Sequence, residues 1–452
     1  MSLDETIVLV RKEHGLGTGI GALVCVDGSL IKGYNPNIQK LTVTETERVF
    51  AATEQEAMNI LSNKGILKGD HTGRYNLRRI NNPPVLDSSG NMIAYSAPVK
   101  FFIDLWYLCT RQCRHCHTES SERRDDVFDR TIVESIAHEL GSSGVFTVAI
   151  GGGEPLHPKY VQDLLFPFVE ILRAYGIHTT VSTNGDPLNN TIYKQEIAST
   201  FKRLGVHVNV SIEGREETHN SIRGRHAYKH AVQALEFLTE QGLTVNIATT
   251  VSKENGTIGD MNHVIYLAER YGTILKVKRV KPAGNAITHS CVFSEQSEAY
   301  WNVVKFLNQP HFPTIYLEEP MNLRYVPRPA NDLAFRLEHC GAGISTLCVT
   351  PSHRTGICPF LPLELGPKIY ETREGPTIMD VWQGNVKYPA LLQMRQLPAG
   401  DDCKNCYRKD FCHGSCPAMR YAYSNSLTGQ DPCCPEKLGS FFSNVQGAFA
   451  AK

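Results

Sequence analysis

The chain has 452 residues, with 46 Lys plus Arg balanced by 46 Asp plus Glu and no net charge when histidine is neutral. That balance excludes the basic footprint of a nucleic-acid binder or of a protein held on an anionic membrane, and no apolar run reaches the roughly 18–20 residues that span a bilayer. The acidic start, Met1-Ser2-Leu3-Asp4-Glu5, lacks the basic-then-apolar pattern of a secretory signal, so the expectation is a cytoplasmic protein with material for about three domains.

In chain order, short strands are predicted at Thr6–Arg11, Gly21–Val26 and Leu30–Tyr34. Two short helices should follow, each opened by a capping box, Thr44 to Glu47 and Thr53 to Glu56. The Pro-, Asn- and Gly-rich stretch Asn81–Met92 then reads as a linker.

From about residue 97 to 285 a single unit repeats: an apolar β-rich run, a polar turn, an amphipathic stretch, a glycine. The predicted strands are Val99–Tyr107, Val145–Ile150, His178–Ser182, His207–Ile212, Thr244–Val251 and Leu275–Val280. Ile132, Ile136 and Leu140 mark one intervening helix, and Leu165, Phe168 and Leu172 another. Glycines 144, 176, 205, 242 and 272 stand where a left-handed cap would end each helix. Such alternation predicts a parallel α/β sheet, and six units fit an open, partial (β/α)6 barrel. A doubly wound sheet shows the same alternation. In both, chemistry gathers at the C-terminal ends of the strands.

Apart from Cys25 and Cys291, all 14 cysteines fall between Cys109 and Cys116 or between Cys340 and Cys434. In a long chain without an export signal, such spacings point to metal rather than to disulfides. The first strand runs into Cys109-Thr110-Arg111-Gln112-Cys113-Arg114-His115-Cys116. Three thiolates on a tight loop can hold three irons of a 4Fe–4S cube and leave the fourth open. Zinc is the competing ion, but it prefers four ligands. At the end of strand two stands Gly151-Gly152-Gly153-Glu154-Pro155, where absent Cβ atoms permit close backbone approach. Ser182-Thr183-Asn184-Gly185 ends strand three. Ser211-Ile212-Glu213-Gly214 ends strand four and is followed by Arg223-Gly224.

The spacing C-x3-C-x2-C with these strand-end motifs resembles the radical S-adenosylmethionine (SAM) superfamily. The resemblance implies that Cys109, Cys113 and Cys116 hold a 4Fe–4S cluster that cleaves SAM to methionine and a 5′-deoxyadenosyl radical. It implies SAM contacts at Gly152, Gly153, Glu154, Ser182, Asn184, Ser211 and Arg223, with Ser211 and Arg223 on the methionine carboxylate. Two positions depart from the usual pattern: Glu213 stands where Asp is common, and His115 where an aromatic residue often precedes the third cysteine.

The Cys-, Pro- and Gly-rich last third carries Cys403-x2-Cys406-x5-Cys412-x3-Cys416. With Cys340, Cys358 and Cys434 this resembles the SPASM domain of radical enzymes that modify peptides. The likeness implies two auxiliary 4Fe–4S clusters, one on Cys403, Cys406, Cys412 and Cys434, the other on Cys340, Cys358 and Cys416. Cys434 is preferred to Cys433 because it precedes Pro435. The missing ligand is Cys348, His339 or a substrate group, and a pair of zinc sites is the alternative use of these cysteines. The N-terminal strands and helices are similar to a winged-helix-like module that recognises precursor peptides, with a plain capping layer on the barrel as the alternative.

The expected architecture is thus a recognition module at 1–95, a radical SAM partial barrel at 96–310 and a SPASM domain at 311–452. Function is expected to be cross-linking of a ribosomally made precursor peptide, with electrons from a flavodoxin- or ferredoxin-like donor. The alternatives are a sulfatase-type maturase and, outside enzymes, an iron–sulfur electron-transfer or scaffold protein. The sequence names no catalytic acid or base.

Overall fold

The computed structural model describes residues 75–90, 92–293, 298–309, 315–317, 321, 340–361, 365–371, 375–396, 403, 405–406, 414–429 and 431–434, together with strands at 6–12, 22–26, 29–35, 40–42 and 48–50. Cys412 and His339 lie outside the described residues, as does the helix expected from Thr53.

The N-terminal sheet contains β1 (Thr6–Lys12), β2 (Ala22–Val26), β3 (Ser29–Asn35), β4 (Lys40–Thr42), β5 (Arg48–Phe50) and β6 (Tyr75–Ile80). Its order is β5-β4-β3-β2-β1-β6. The three predicted strands are present within a residue or two. The helix expected from the Thr44 capping box is not: Arg48–Phe50 pairs antiparallel with β4, so a local cap signal gives way to a nonlocal ladder. The expected linker also holds structure, a hairpin of β7 (Val85–Leu86) and β8 (Met92–Ala94). Buried Arg11 fastens this sheet to the base of the next one. Its Nη1 donates to the carbonyls of Pro98 and Gly144, both at 2.8 Å.

The second sheet is the scaffold of the site. It carries β9 (Lys100–Asp104), β10 (Thr147–Gly151), β11 (His178–Thr183), β12 (His207–Ser211), β13 (Val245–Val251) and β14 (Ile274–Arg279), paired in parallel in that sequence. All six strands are those read from the sequence. Between them run α1 (Arg130–Ser142), α2 (Phe166–Ala174), α3 (Thr191–Leu204), α4 (Glu216–Arg223), α5 (Ala227–Glu240) and α6 (Ile258–Arg270). Gly205 closes α3 with φ +66°, and glycines 144, 176, 242 and 272 take the same left-handed conformation.

Two further parallel strands extend the sheet: β15 (Ile315–Leu317) beside β14 and β16 (Thr346–Val349) beside β9. β17 (Thr355–Gly356) then adds antiparallel to β16. The order β15-β14-β13-β12-β11-β10-β9-β16-β17 does not close among the described residues, so the sheet is a partial barrel.

Burial alternates along β9, β10, β11 and β14. Phe101, Ile103, Val148, Ile150, Val208, Val210, Leu275 and Val277 are buried against the helices, whereas Lys100, Thr147, His178, His207 and Lys276 are half-buried on the inward face. A parallel sheet packed on both faces would be apolar throughout. The polar alternation therefore marks a concave face that the protein keeps for something other than packing. Among the described residues no helix is long and apolar enough to cross a membrane.

Candidate functional site

The cysteine loop leaves the C-terminal end of β9, with Cys109 and Cys113 buried and Cys116 half-buried. Each sulfur has a hydrogen-bonding group against it. The Arg111 amide lies 3.4 Å and Asn184 Nδ2 3.8 Å from Cys109 Sγ, and Arg223 Nη1 lies 3.9 Å from Cys113 Sγ. The Thr118 hydroxyl lies 3.3 Å from Cys116 Sγ. Burial pushes the Cys113 thiol up to about 11, with Arg223 pulling the other way. Burial, and then Glu154 and the two other sulfurs, raise Cys109. Three sulfurs that influence one another's charge, each with a hydrogen-bonding group against it, suit thiolates held on a cationic iron cluster.

The glycine turn after β10 grips the chain that leads into this loop. The Gly153 amide donates to Trp106 O and the Glu154 amide to Leu108 O, both at 2.9 Å. Trp106 Nε1 returns a bond to Glu154 O at 2.9 Å. A Cβ on Gly153 would stand 2.1 Å from Leu108 O, and one on Gly152, at φ +98°, 2.5 Å from Trp106 O. The close approach foreseen from sequence is real, but the partner the structure displays is the backbone of residues 106–108.

Glu154 is buried and serves as a three-way acceptor. Oε1 accepts from Thr183 Oγ1 at 2.7 Å and the Leu156 amide at 3.0 Å, and Oε2 from the Asn184 amide at 2.8 Å. Burial pushes its pKa up to about 7, and those donors pull it down. Glu154 thereby locks the end of β10 to the end of β11, and this places Asn184. Asn184 Nδ2 bonds Thr110 Oγ1 at 3.0 Å, while Asp186 pairs with Arg111 and with His230 Nδ1 at 2.8 Å.

The two departures from the usual motif meet in space. His115 Nε2 lies 3.0 Å from Glu213 Oε1, which also accepts from Arg223 Nε at 2.8 Å and from Nη2. Glu213 Oε2 takes the Thr250 amide at 2.8 Å. Burial alone would raise the Glu213 pKa, but the charge of Arg223 and the His115 contact hold it well below the usual carboxylate range. Arg223 thus turns two of its nitrogens to Glu213 and its third to Cys113. Ser182 and Ser211 lie on the inward face, exposed and half-buried, and Ser182 Oγ accepts from Asn209 Nδ2 at 3.5 Å.

Sequence reading missed two contributors. Asn285 holds the far side of the loop: its amide donates to Cys116 O at 2.8 Å and its Nδ2 to Cys113 O at 3.0 Å. Gly284, at φ +54°, makes room for this, since a Cβ there would sit 2.6 Å from Cys116 O and from His117 O. The Pro282–Asn285 turn at the end of the sixth strand was the available signal. The second is Asp104, the last residue of β9. It is buried beneath the turn, and burial alone pushes its pKa up to about 7. A carboxylate at a barrel strand's C-terminal end was legible, but not its burial.

In the C-terminal region Cys340, Cys358 and Cys416 are half-buried. Burial raises the Cys358 thiol well above its ordinary value, and Cys416, Cys340 and Cys348 add to the rise. Cys348 sits in β16, buried on the face shared with Phe102. Cys416 stands at the N-terminus of the helix Pro417–Ser424. The Cys406 amide donates to Cys403 O at 3.2 Å. Cys433 is buried with its sulfur toward Phe293 O, whereas Cys434 is half-buried.

Residues 104–259 match the Radical SAM superfamily. Mycofactocin maturase MftC of Mycobacterium ulcerans is 27% identical over 357 residues, covering 76% of this chain and 89% of that protein. The sporulation killing factor maturation protein SkfB of Bacillus subtilis is 25% identical over 172 residues, 38% of this chain and 40% of that one. In fold, the chain is similar to Streptococcus suis SuiB bound to precursor peptide SuiA, with TM-score 0.59, 14% identity and coverage of 95% and 98% of the two chains. It is also similar to anSMEcpe with bound AdoMet and a peptide, with TM-score 0.55, 15% identity and coverage of 78% and 98%. The matched segment begins at Asp104 and spans the three cysteines and the ends of β10 and β11 that hold them; residues 104–259 carry a radical SAM domain.

Proposed function

We propose that the chain cleaves SAM reductively and uses the resulting radical to modify a ribosomally made peptide, by cross-linking its side chains. The carrying observation is the cysteine loop: three sulfurs, each with a hydrogen-bonding group against it, held by the ends of β10, β11 and β14. A 4Fe–4S cluster bound by Cys109, Cys113 and Cys116 supplies the electron for SAM cleavage. This chain's own residues then orient and protect. Gly152, Gly153 and Glu154 fix the turn beside the cluster, Asn184 and Arg223 keep donors on the sulfurs, and Glu213 and His115 hold Arg223 in place. Asp104, at the end of β9, is the candidate proton acceptor when a substrate radical closes to product, with an auxiliary cluster, if loaded, taking the electron released; its raised pKa suits a base near neutrality.

The peptide reading is supported by the names of the relatives, two of them maturation proteins for small products, and by the SuiB fold, whose match takes in the N-terminal sheet. We assign residues 1–95 to leader recognition, 96–310 to the radical core and 311–452 to a SPASM domain. Its auxiliary 4Fe–4S clusters would use Cys340, Cys358 and Cys416, with Cys348 as the candidate fourth sulfur, and Cys403, Cys406, Cys412 and Cys434. A flavodoxin- or ferredoxin-like donor supplies electrons in the cytosol. Leader binding by strand addition uses an open sheet edge, where main-chain hydrogen bonds supply affinity.

The test is anaerobic incubation of reduced enzyme with SAM and a precursor encoded beside its gene, following 5′-deoxyadenosine and peptide mass. Deletion of 1–95 should leave part of the uncoupled SAM cleavage and sharply reduce turnover of full-length precursor. Full turnover by a stably folded truncated enzyme would rule out the recognition role. Arg11 ties the two sheets together, so thermal melting must accompany the comparison.

A further inference from the structure

The cysteine loop comes to the protein surface at its middle. Gln112 and Arg114 are exposed on either side of buried Cys113. Adjacent Cα atoms lie about 3.8 Å apart, so here a cluster ligand is one residue from solvent. Two other segments pack beside this edge. Arg111 Nη1 donates to Arg225 O at 2.8 Å and the Arg114 amide to Ile222 O at 3.0 Å, which brings residues 222–225 against the loop. Cys291 Sγ donates to Arg114 O at 3.5 Å, and Cys291 O accepts from the Lys253 amide at 3.0 Å. Lys253 is thereby held on the same flank.

This flank is cationic. Arg225 and Lys253 are exposed, and among the described residues neither has an ion-pair partner. Arg114 stays half exposed while it lies 3.5 Å from Glu254, and Arg111 pairs with Asp186. Two positive charges are therefore left over here, on a chain whose charges otherwise balance. The other flank has the opposite sign. Residues 118–126 are tied to the loop where the Cys109 amide donates to Ser121 O at 3.1 Å, and they carry four acids, Glu119, Glu122, Asp125 and Asp126, against two arginines. Beside Cys291, whose amide bonds Ala286 O at 3.0 Å, Ile287 is 60% exposed. An apolar spot bordered by charge has the make-up of a small, transient protein interface.

We propose that the flank bearing Arg114, Arg225 and Lys253 is the docking surface for the electron donor, an acidic flavodoxin-like protein. The proposal rests on the reading of the loop as a SAM-cleaving 4Fe–4S site and is independent of which peptide is modified. In the docked pair one electron passes from the reduced flavin to the oxidised cluster, and no atom changes hands. Carboxylates on the donor complement the cations, while the acids of residues 118–126 repel it, so it approaches from the Cys113 side. Opposite charge of this kind raises encounter rates by about 10- to 1,000-fold at low salt and is screened as salt rises.

Two measurements on the full-length reconstituted holoenzyme test this. Calorimetry follows binding of oxidised flavodoxin, and freeze-quenched electron paramagnetic resonance follows cluster reduction after mixing with reduced flavodoxin. The enzyme with Cys109, Cys113 and Cys116 all changed to Ala serves as the blank. Arg225→Glu with Lys253→Glu should weaken binding and slow reduction roughly tenfold at low ionic strength, and added salt should bring the wild type down to the variant. Lys202→Glu with Arg203→Glu makes the same change of charge on exposed residues at the end of α3 and should alter neither. Reduction by the methyl viologen radical cation should not slow in the Arg225 and Lys253 variant, which separates lost docking from a lost cluster. If that variant fails to load iron, Lys253→Glu alone carries the comparison. Flavodoxin binding and reduction untouched by the reversal, or weakened equally by the Lys202 and Arg203 reversal, overturn the proposal. A wild type whose signal matches the blank would fail the SAM-cleaving reading itself, whereas a reducible cluster with a charge-blind donor fails the docking surface alone.

Discussion

The two cysteine groups of this protein are carried by different kinds of element. Cys109, Cys113 and Cys116 sit on a loop clamped by the ends of three strands whose registers are fixed by buried apolar faces. The described C-terminal cysteines stand on short elements that share the barrel's apolar core through residues such as Ile357, Ile378, Val381 and Trp382 and are pinned to it by polar anchors as well. Arg279 and Asp431 form a fully buried ion pair, Trp382 Nε1 donates to Tyr95 O at 2.8 Å, and Glu139 accepts from the Met379 amide at 2.8 Å. Apolar periodicity reports the first kind of support from sequence, because burial repeats along each element. Polar anchors leave no periodic trace. The two regions should accordingly fail in different ways when a support is removed.

The largest effect is expected from replacing Cys109, Cys113 and Cys116 together with Ala. Formation of 5′-deoxyadenosine should fall to background, and iron should drop by about four of about twelve atoms per chain. An equal loss from the C-terminal clusters would show that the two regions are not independent. Gly153→Val comes next. A side chain at this position meets Leu108 O, so the turn must part from the chain leading to Cys109. SAM binding and cluster content should fall together; weakened binding on a fully loaded cluster would show that the turn acts on SAM alone.

Arg279→Met probes the other region by leaving Asp431 buried without its partner. Breaking a buried pair in this way costs about 3–5 kcal/mol. Chemical denaturation should show that loss, accompanied by lower auxiliary iron while Cys109, Cys113 and Cys116 keep theirs. In stability alone, Asp104→Asn gives the smallest change and has a defined pH dependence. Burial raises the Asp104 pKa from 3.8 to about 7 in the folded chain. Its contribution to stability is therefore full below the unfolded pKa and is lost as pH rises through about 7. The wild type should lose on the order of a few kcal/mol relative to the Asn variant between about pH 4 and pH 7, with no further divergence above. Parallel pH–stability curves would show that the carboxyl is not held in its acid form.

Much of the barrel was legible because its information is local. Six strands, the glycine caps and the cysteine spacing are each written within a few residues, and each appears where the pattern put it. The N-terminal region shows the limit of such signals. Thr44 to Glu47 reads as a helix cap, yet Arg48–Phe50 is a strand because β4 offers it a ladder.

By itself the sequence determined the order of strands and helices, the loop carrying the three thiolates, and the resemblance that gives them a chemistry. Only the tertiary structure decided which groups surround that loop. His115 meets Glu213 across 98 positions and Asn285 meets Cys113 across 172. Glu213 and His115 looked like two separate departures from a motif, and in the fold they share one hydrogen bond and hold one arginine. The bases of the inward face lie at the starts or middles of four strands, where no motif marks them. Their juxtaposition follows from parallel register, which fixes neighbours across the sheet that spacing along the chain does not encode.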